Sequence, residues 1–134
     1  MTARRSVATT TVVTAEPQLY VRDIAASTAF YVEKLGFAVA FSYGDPPFYG
    51  QIRRGGARLN LRHVDAPVID PARRDQEQLL AASIAVDDAA PLFLEYSAAS
   101  VEFAQPLQNE PWGARTFIVR DPDGNLILFA GRPD

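Results

Sequence analysis

The sequence predicts an α+β fold built twice over, and three observations carry that expectation. Leu19-Tyr20-Val21-Arg22-Asp23 and Ile84-Ala85-Val86-Asp87-Asp88 both lead into helical stretches, and the shift of 65 that lays Asp23 on Asp88 also lays Tyr31 on Tyr96. Gly56-Ala57-Arg58-Leu59-Asn60-Leu61 resembles Gly124-Asn125-Leu126-Ile127-Leu128-Phe129 at a shift of 68. Both shifts are close to half of 134 residues and keep the same order, which is the mark of an internal repeat. Glycine, proline and aspartate then divide each half into one helix among several short extended runs.

In the first half, about residues 15–63, Gln18 to Val21 is a short strand. Asp23 caps the helix that follows, because its carboxylate can accept from exposed first-turn N–H groups. Ile24, Thr28, Tyr31 and Leu35 recur at helical spacing and form the buried stripe. Gly36 supplies the left-handed stop. Phe37 to Phe41, Tyr49 to Arg53 and Arg58 to His63 are strands, separated by Gly44-Asp45-Pro46-Pro47 and Gly55-Gly56. Residues 64–78 are the linker: from Asp65 to Gln78 the chain holds two prolines and six charged residues. In the second half, 79–131, Asp88 caps a helix that tolerates Pro91 in its first turn. Leu92, Tyr96 and Ala99 form its stripe, and the strands expected are Ser100 to Phe103, Arg115 to Arg120 and Asn125 to Phe129. Asp121-Pro122-Asp123-Gly124 is a hairpin turn in which proline presets one φ and glycine takes the left-handed position.

Composition narrows the chemistry. Hydrophobic residues make up 48% and charged residues 22%, an ordinary globular balance that fills one domain at this length. With no cysteine, thiol catalysis, cysteine-ligated zinc and disulfides are excluded. A net charge of −3 argues against nucleic-acid binding, which needs a concentrated basic face. No apolar run reaches the roughly 18 residues of a membrane span. Met1 to Ser6 carries two arginines, but Ala8 to Thr14 is threonine-rich rather than an apolar signal core, so the expected address is the cytoplasm. The single histidine, His63, limits acid–base and metal chemistry further.

Val21-Arg22-Asp23, Phe30-Tyr31, Leu35-Gly36-Phe37 and Pro111-Trp112-Gly113 leading to Asp121-Pro122-Asp123-Gly124-Asn125 resemble the vicinal oxygen chelate superfamily of glyoxalases, bleomycin-resistance proteins and extradiol dioxygenases. The resemblance spans about residues 16–130. It implies paired βαβββ units, sheets curled around a cavity, and a homodimer. In metal-dependent members four repeat-related positions supply ligands, and these fall here on Glu16, Asn60, Ala81 and Leu128. Alanine and leucine offer no donor atom, so no family-type metal and no cofactor are expected.

Strand alternation sorts the walls of the implied cavity. Leu19, Val21, Leu59 and Leu61 should pack on the helices, which turns Glu16, Gln18, Tyr20, Arg58, Asn60 and Arg62 to the cavity. By the same parity Ala81, Ser83, Ala85, Leu126 and Leu128 form a smaller, more apolar wall. Glu16 could instead simply pair with Arg58 or Arg62. Phe48, Tyr49 and Trp112 can close over a flat ligand, although Trp112 equally suits a sheet edge or a dimer seam. His63 falls outside this wall, and Arg53-Arg54 reads as solvated loop. The expected function is small-molecule sequestration of the bleomycin-resistance type, without claiming bleomycin, since Arg58 and Arg62 favour an anionic or accepting group. The alternatives are a lyase, isomerase or dioxygenase, with Glu16 as general base and Tyr20 as electrophilic donor if it works without metal, and a module with a filled interior.

Overall fold

Two strand–helix–strand–strand–strand units follow each other along the chain. The computed structural model describes residues 9–132, so the arginine-bearing segment Met1 to Ser6 lies outside the described residues. The first unit comprises β1 (Gln18–Val21), α1 (Ile24–Glu33), β2 (Ala38–Tyr43), β3 (Tyr49–Arg54) and β4 (Ala57–His63). A short helix α2 (Pro71–Glu77) connects it to β5 (Leu80–Val86), α3 (Ala89–Ala98), β6 (Phe103–Asn109), β7 (Arg115–Arg120) and β8 (Leu126–Gly131). The strands form two four-stranded sheets, β1-β4-β3-β2 and β5-β8-β7-β6. Each is mixed, with its first strand parallel to its last and the remaining pairs antiparallel. No helix among the described residues is long and apolar enough to cross a membrane.

The pairing registers reproduce both sequence shifts. Gln18 pairs with Asn60 and Ser83 with Leu128; Leu19 pairs with Leu61 and Ile84 with Phe129. The helices obey the same shift of 65, from caps Asp23 and Asp88 onward, and each cap carboxylate accepts an N–H two or three residues ahead. Their apolar faces share one core, with Leu19, Val21, Tyr31, Leu35, Leu61, Tyr96, Phe117 and Ile127 fully buried. Gly131 ends β8 where the first turn of α3 crosses it, and a Cβ there would lie 2.6 Å from the Ala89 nitrogen.

Three sequence expectations change. The stretch read as plain linker contains α2, because Asp70 caps Ala72, Pro71 stands in the first turn, and Gln78 stops the helix in the left-handed region at φ 49°. Ser100 to Phe103 is not a strand: Ser100 sits at φ 59° after α3, and β6 begins only at Phe103. Its body, Phe103–Asn109, hides behind Pro106 and two glutamines, an edge strand whose pattern resembles a loop. Finally, the two sheets do not close around a cavity within one chain. Each packs one face on helices and leaves the other open.

The halves are joined by reciprocal tyrosines. Tyr31 on α1 crosses to donate its hydroxyl to Asp121 Oδ2 (2.9 Å), and its repeat mate Tyr96 on α3 crosses back to the Leu35 carbonyl (2.8 Å). Asp121 Oδ1 also accepts the backbone N–H groups of Asp123 and Asn125. Burial raises the Asp121 carboxyl despite these donors, and burial beside that carboxylate holds the Tyr31 phenol well above its usual range. Beside Tyr96, Arg54 donates to Leu35 O (2.8 Å) and to both oxygens of Glu95 (2.7 and 3.1 Å).

Removing one such bond should be measurable. Tyr31→Phe is expected to lower stability by about 1.5–3 kcal/mol in a denaturant titration, because a buried carboxylate oxygen loses its phenol donor. Tyr96 gives the alkaline limit. Burial pushes its phenol from 10.0 up to about 12. A folded value above the unfolded one means that its contribution is intact below pH 10 and lost as pH rises towards 12. Tyr96→Phe should therefore lose less stability than wild type across that window in melting curves.

Candidate functional site

The open face of the first sheet is assembled in rows. Parity turns Leu19, Val21, Ile52, Leu59 and Leu61 onto the helices and leaves the alternate residues outward. One row across the four strands reads Tyr20, Arg62, Tyr49, Tyr43, and the next reads Gln18, Asn60, Gln51, Phe41. Tyr20, Phe41, Tyr43 and Phe48 are 40–65% exposed, a concentration of aromatic surface on one sheet. Phe41 lies 5.9 Å from Tyr49 and Tyr43 lies 5.4 Å from Phe48, centroid to centroid.

A polar ladder runs beside the rings. Gln51 Nε2 donates to Asn60 Oδ1 (2.8 Å) and to Glu16 Oε1 (3.1 Å), and its Oε1 accepts from Arg58 (3.4 Å). Gln51 and Asn60 are buried, whereas Glu16 is exposed. Glu16 therefore takes Gln51 as its partner, and neither Arg58 nor Arg62 is ion-paired with it among the described residues. Tyr49 donates to Gln18 (3.3 Å), and Arg62 donates to the His63 carbonyl (2.7 Å). Arg53 pairs with Arg58 in register, so this face carries three guanidinium groups, Arg53, Arg58 and Arg62, against the Glu16 carboxylate.

The second sheet differs. Ser83 and Ala85 are exposed and Leu128 is partly so, as parity requires. Leu126 shares the Leu128 face but is 1% exposed, so it offers no surface to a ligand in this chain. On the other half of that face Thr116 accepts from Gln105 (3.0 Å) and donates to Glu110 (3.0 Å), beside the buried Ile118 of β7, so polar groups flank the apolar residues of β5 and β8. Trp112 stands 74% exposed in the β6–β7 turn and joins none of the aromatic pairs among the described residues. The expected residues are also divided between two clefts. One of about 250 Å³ is lined by Gln18, Tyr20 and Ala81, while Arg58 and Ser83 line one of about 870 Å³ elsewhere. His63 faces Asp65 (3.0 Å) and takes no part.

At the four positions where the fold family places metal ligands, Glu16 and Asn60 share one amide donor, and Ala81 and Leu128 carry no donor atom. Two oxygen ligands do not replace the hydration of a divalent ion, so this set does not fit a metal.

Sequence reasoning missed Gln51, Phe41, Tyr43, Arg53 and the role of Arg54. Gln51 and Arg53 were within reach: a two-residue Gly55-Gly56 turn sets Arg54 opposite Ala57, and hence Arg53 opposite Arg58 and Gln51 opposite Asn60, whereas a register shift between Val39 and Phe41 places Phe41 and Tyr43. Arg54 was taken for solvated loop, but its parity points it into the joint between halves.

Known proteins place this geometry. The family model described as Glyoxalase/Bleomycin resistance protein/Dioxygenase superfamily matches residues 11–129. No curated protein matches the sequence. Among solved structures, the bleomycin-binding protein from bleomycin-producing Streptomyces verticillus, complexed with copper(II)-bleomycin, is 27% identical over 92% of this chain and 98% of its own, with a TM-score of 0.70. TioX from Micromonospora sp. ML1 is 23% identical over 87% and 96% with a TM-score of 0.69. The bleomycin resistance determinant encoded on transposon Tn5 is 22% identical over 90% and 98% with a TM-score of 0.70. With the family model covering most of its length, the chain belongs to the glyoxalase/bleomycin resistance protein/dioxygenase superfamily.

Proposed function

We propose that this protein sequesters a planar organic molecule carrying an anionic or strongly accepting group, on the open face of its first sheet, as a homodimer and without a family metal. The row Tyr20, Arg62, Tyr49, Tyr43 is the observation that carries this reading: a guanidinium stands between ring systems in register, where it can meet an acceptor while the rings cover a flat body. The buried amide ladder behind it offers fixed hydrogen-bonding groups at little entropic cost. Kinship with a bleomycin-binding protein supports sequestration as the mode of action. The guanidinium excess on this face argues for a different ligand charge from a cationic drug. A second copy would cover the exposed Phe41, Tyr43 and Phe48 and complete the pocket.

The ligand class is tested by a thermal-shift series of planar aromatic carboxylates against their neutral carboxamides. Carboxylates are expected to raise the melting temperature with dose, and Arg62→Ala should weaken them by roughly tenfold, about 1.4 kcal/mol. Stabilisation by cations alone, or by neither, would refute the reading. Sedimentation should show a dimer, and elemental analysis of protein purified without added metal should find far less than one equivalent. Gln51→Leu should cost about 1–3 kcal/mol in unfolding free energy, since the buried Asn60 oxygen loses its donor.

A further inference from the structure

The repeat produces two related clefts between the halves, and side chains bridge the strand edge in only the smaller one, of about 250 Å³. In the bridged one, the β7–β8 turn faces the outer edge of β1. Asn125 Nδ2 donates to the Tyr20 carbonyl (3.2 Å), and Asp123 Oδ1 accepts the Arg22 N–H (2.9 Å). Arg74 from α2, itself buried, closes over Gly124 and donates to the Asp123 carbonyl (3.3 Å). Side chains of the chain itself thus satisfy an edge strand, and Leu19 and Val21 beneath them are 0% exposed.

The other cleft, of about 870 Å³, faces the outer edge of β5 across the β3–β4 turn. The shift that relates β4 to β8 lays Ala57 on Asn125, and the turn before it is Gly55-Gly56, one residue shorter than its counterpart. Neither glycine nor alanine can reach across. No side chain among the described residues bonds the Ala85 carbonyl or the Asp87 N–H, the mates of the Tyr20 and Arg22 groups. Ile84 and Val86, the mates of Leu19 and Val21, stay half-buried.

The exposed edge has a defined chemistry. In β1 the Pro17 and Val21 carbonyls serve β4 (3.0 and 2.9 Å), so Gln18, Tyr20 and Arg22 point their backbone groups outward. The shared register assigns Ser83, Ala85 and Asp87 the same outward direction, into the cleft. Alternate residues with free N–H and C=O groups are what an added strand pairs with. Leu59, Ile84, Val86, Leu92, Tyr96 and Phe129 give the cleft an apolar floor. Asp87 and Asp88 stand at its rim, while Arg54 is committed to Glu95 and Arg58 to Gln51.

We propose that this cleft is a second binding site, distinct from the open sheet face, and that it takes an extended peptide segment from another molecule as a further strand on β5, with a cationic side chain towards Asp87 and Asp88. In the bridged cleft Asn125 Nδ2 supplies a donor and Asp123 Oδ1 an acceptor to the edge of β1, the two functions a peptide unit combines, and these show what the open edge accepts.

Amide chemical-shift titration of the full chain with acetyl-Val-Lys-Val-amide tests this. Saturable shifts are expected at Ser83, Ala85 and Asp87, and the same peptide methylated on the lysine nitrogen of its backbone should bind at least roughly tenfold more weakly. Ala57→Asn should fill the cleft, raise the melting temperature and weaken the peptide by a similar factor. Asp87→Asn should weaken the lysine peptide but not its norleucine analogue. Equal binding of the methylated peptide, shifts confined to the open sheet face, or no saturable shift would overturn the proposal. So would Overhauser contacts from Val12 or Val13 to Ile84 or Val86 in the free protein. Those would assign the cleft to the N-terminal segment of the chain itself, or of a second copy if they appear only as concentration rises.

Discussion

The arrangement of this protein depends on how its two similar halves hold each other without sharing a sheet. Each half sends the tyrosine of its helix across to an acceptor in the other, and the second half also finishes the edge of the first half's opening strand. Tyr31 and Tyr96 occupy the same place in the repeat, yet one ends on a carboxylate and the other on a carbonyl. Both hydroxyls are buried, so each must find an acceptor across the joint or lose more than the bond is worth. That requirement sets the relative placement of the halves, and with it both clefts and the direction in which the open faces look.

Divergence between the halves then supplies the functional contrast. The first sheet exposes rings, amides and guanidinium groups; the second exposes small and aliphatic side chains on β5 and β8. The turn Asp121-Pro122-Asp123-Gly124-Asn125 is dense in hydrogen-bonding groups and braces its neighbour, whereas Gly55-Gly56 is bare. A duplicated scaffold therefore keeps one brace for structure and leaves the matching space open. The loss of donor atoms at Ala81 and Leu128 belongs to the same pattern, because a face without metal ligands can be given over to contact with a ligand body.

Much of this was legible beforehand because it rests on local chemistry. Asp23 and Asp88 cap, Gly36 stops, and Leu59 with Leu61 alternate against Asn60, all through interactions within a few residues. The short helix α2 was missed because about two turns of mostly charged and polar residues have no apolar stripe of their own; Asp70, Pro71 and the Arg120–Asp75 pair (2.7 Å) hold it. Strand β6 was displaced because an edge strand needs apolar residues on few of its positions. Leu126 followed parity correctly and was still buried, since parity gives a direction and not what lies in it.

By itself the sequence determined the duplication, the element types, the registers implied by the two shifts, and the lack of a donor atom at two of the four family metal positions, Ala81 and Leu128. These follow from spacing and from side-chain chemistry, which the chain carries wherever it folds. Only the tertiary structure decided that Gln51 links Glu16 to Asn60, that Arg54 braces the joint rather than facing solvent, and that one of two equivalent clefts stands open. Those outcomes depend on which distant groups are left unpaired when two surfaces meet, and unpaired buried groups are a property of the assembled fold, not of any segment.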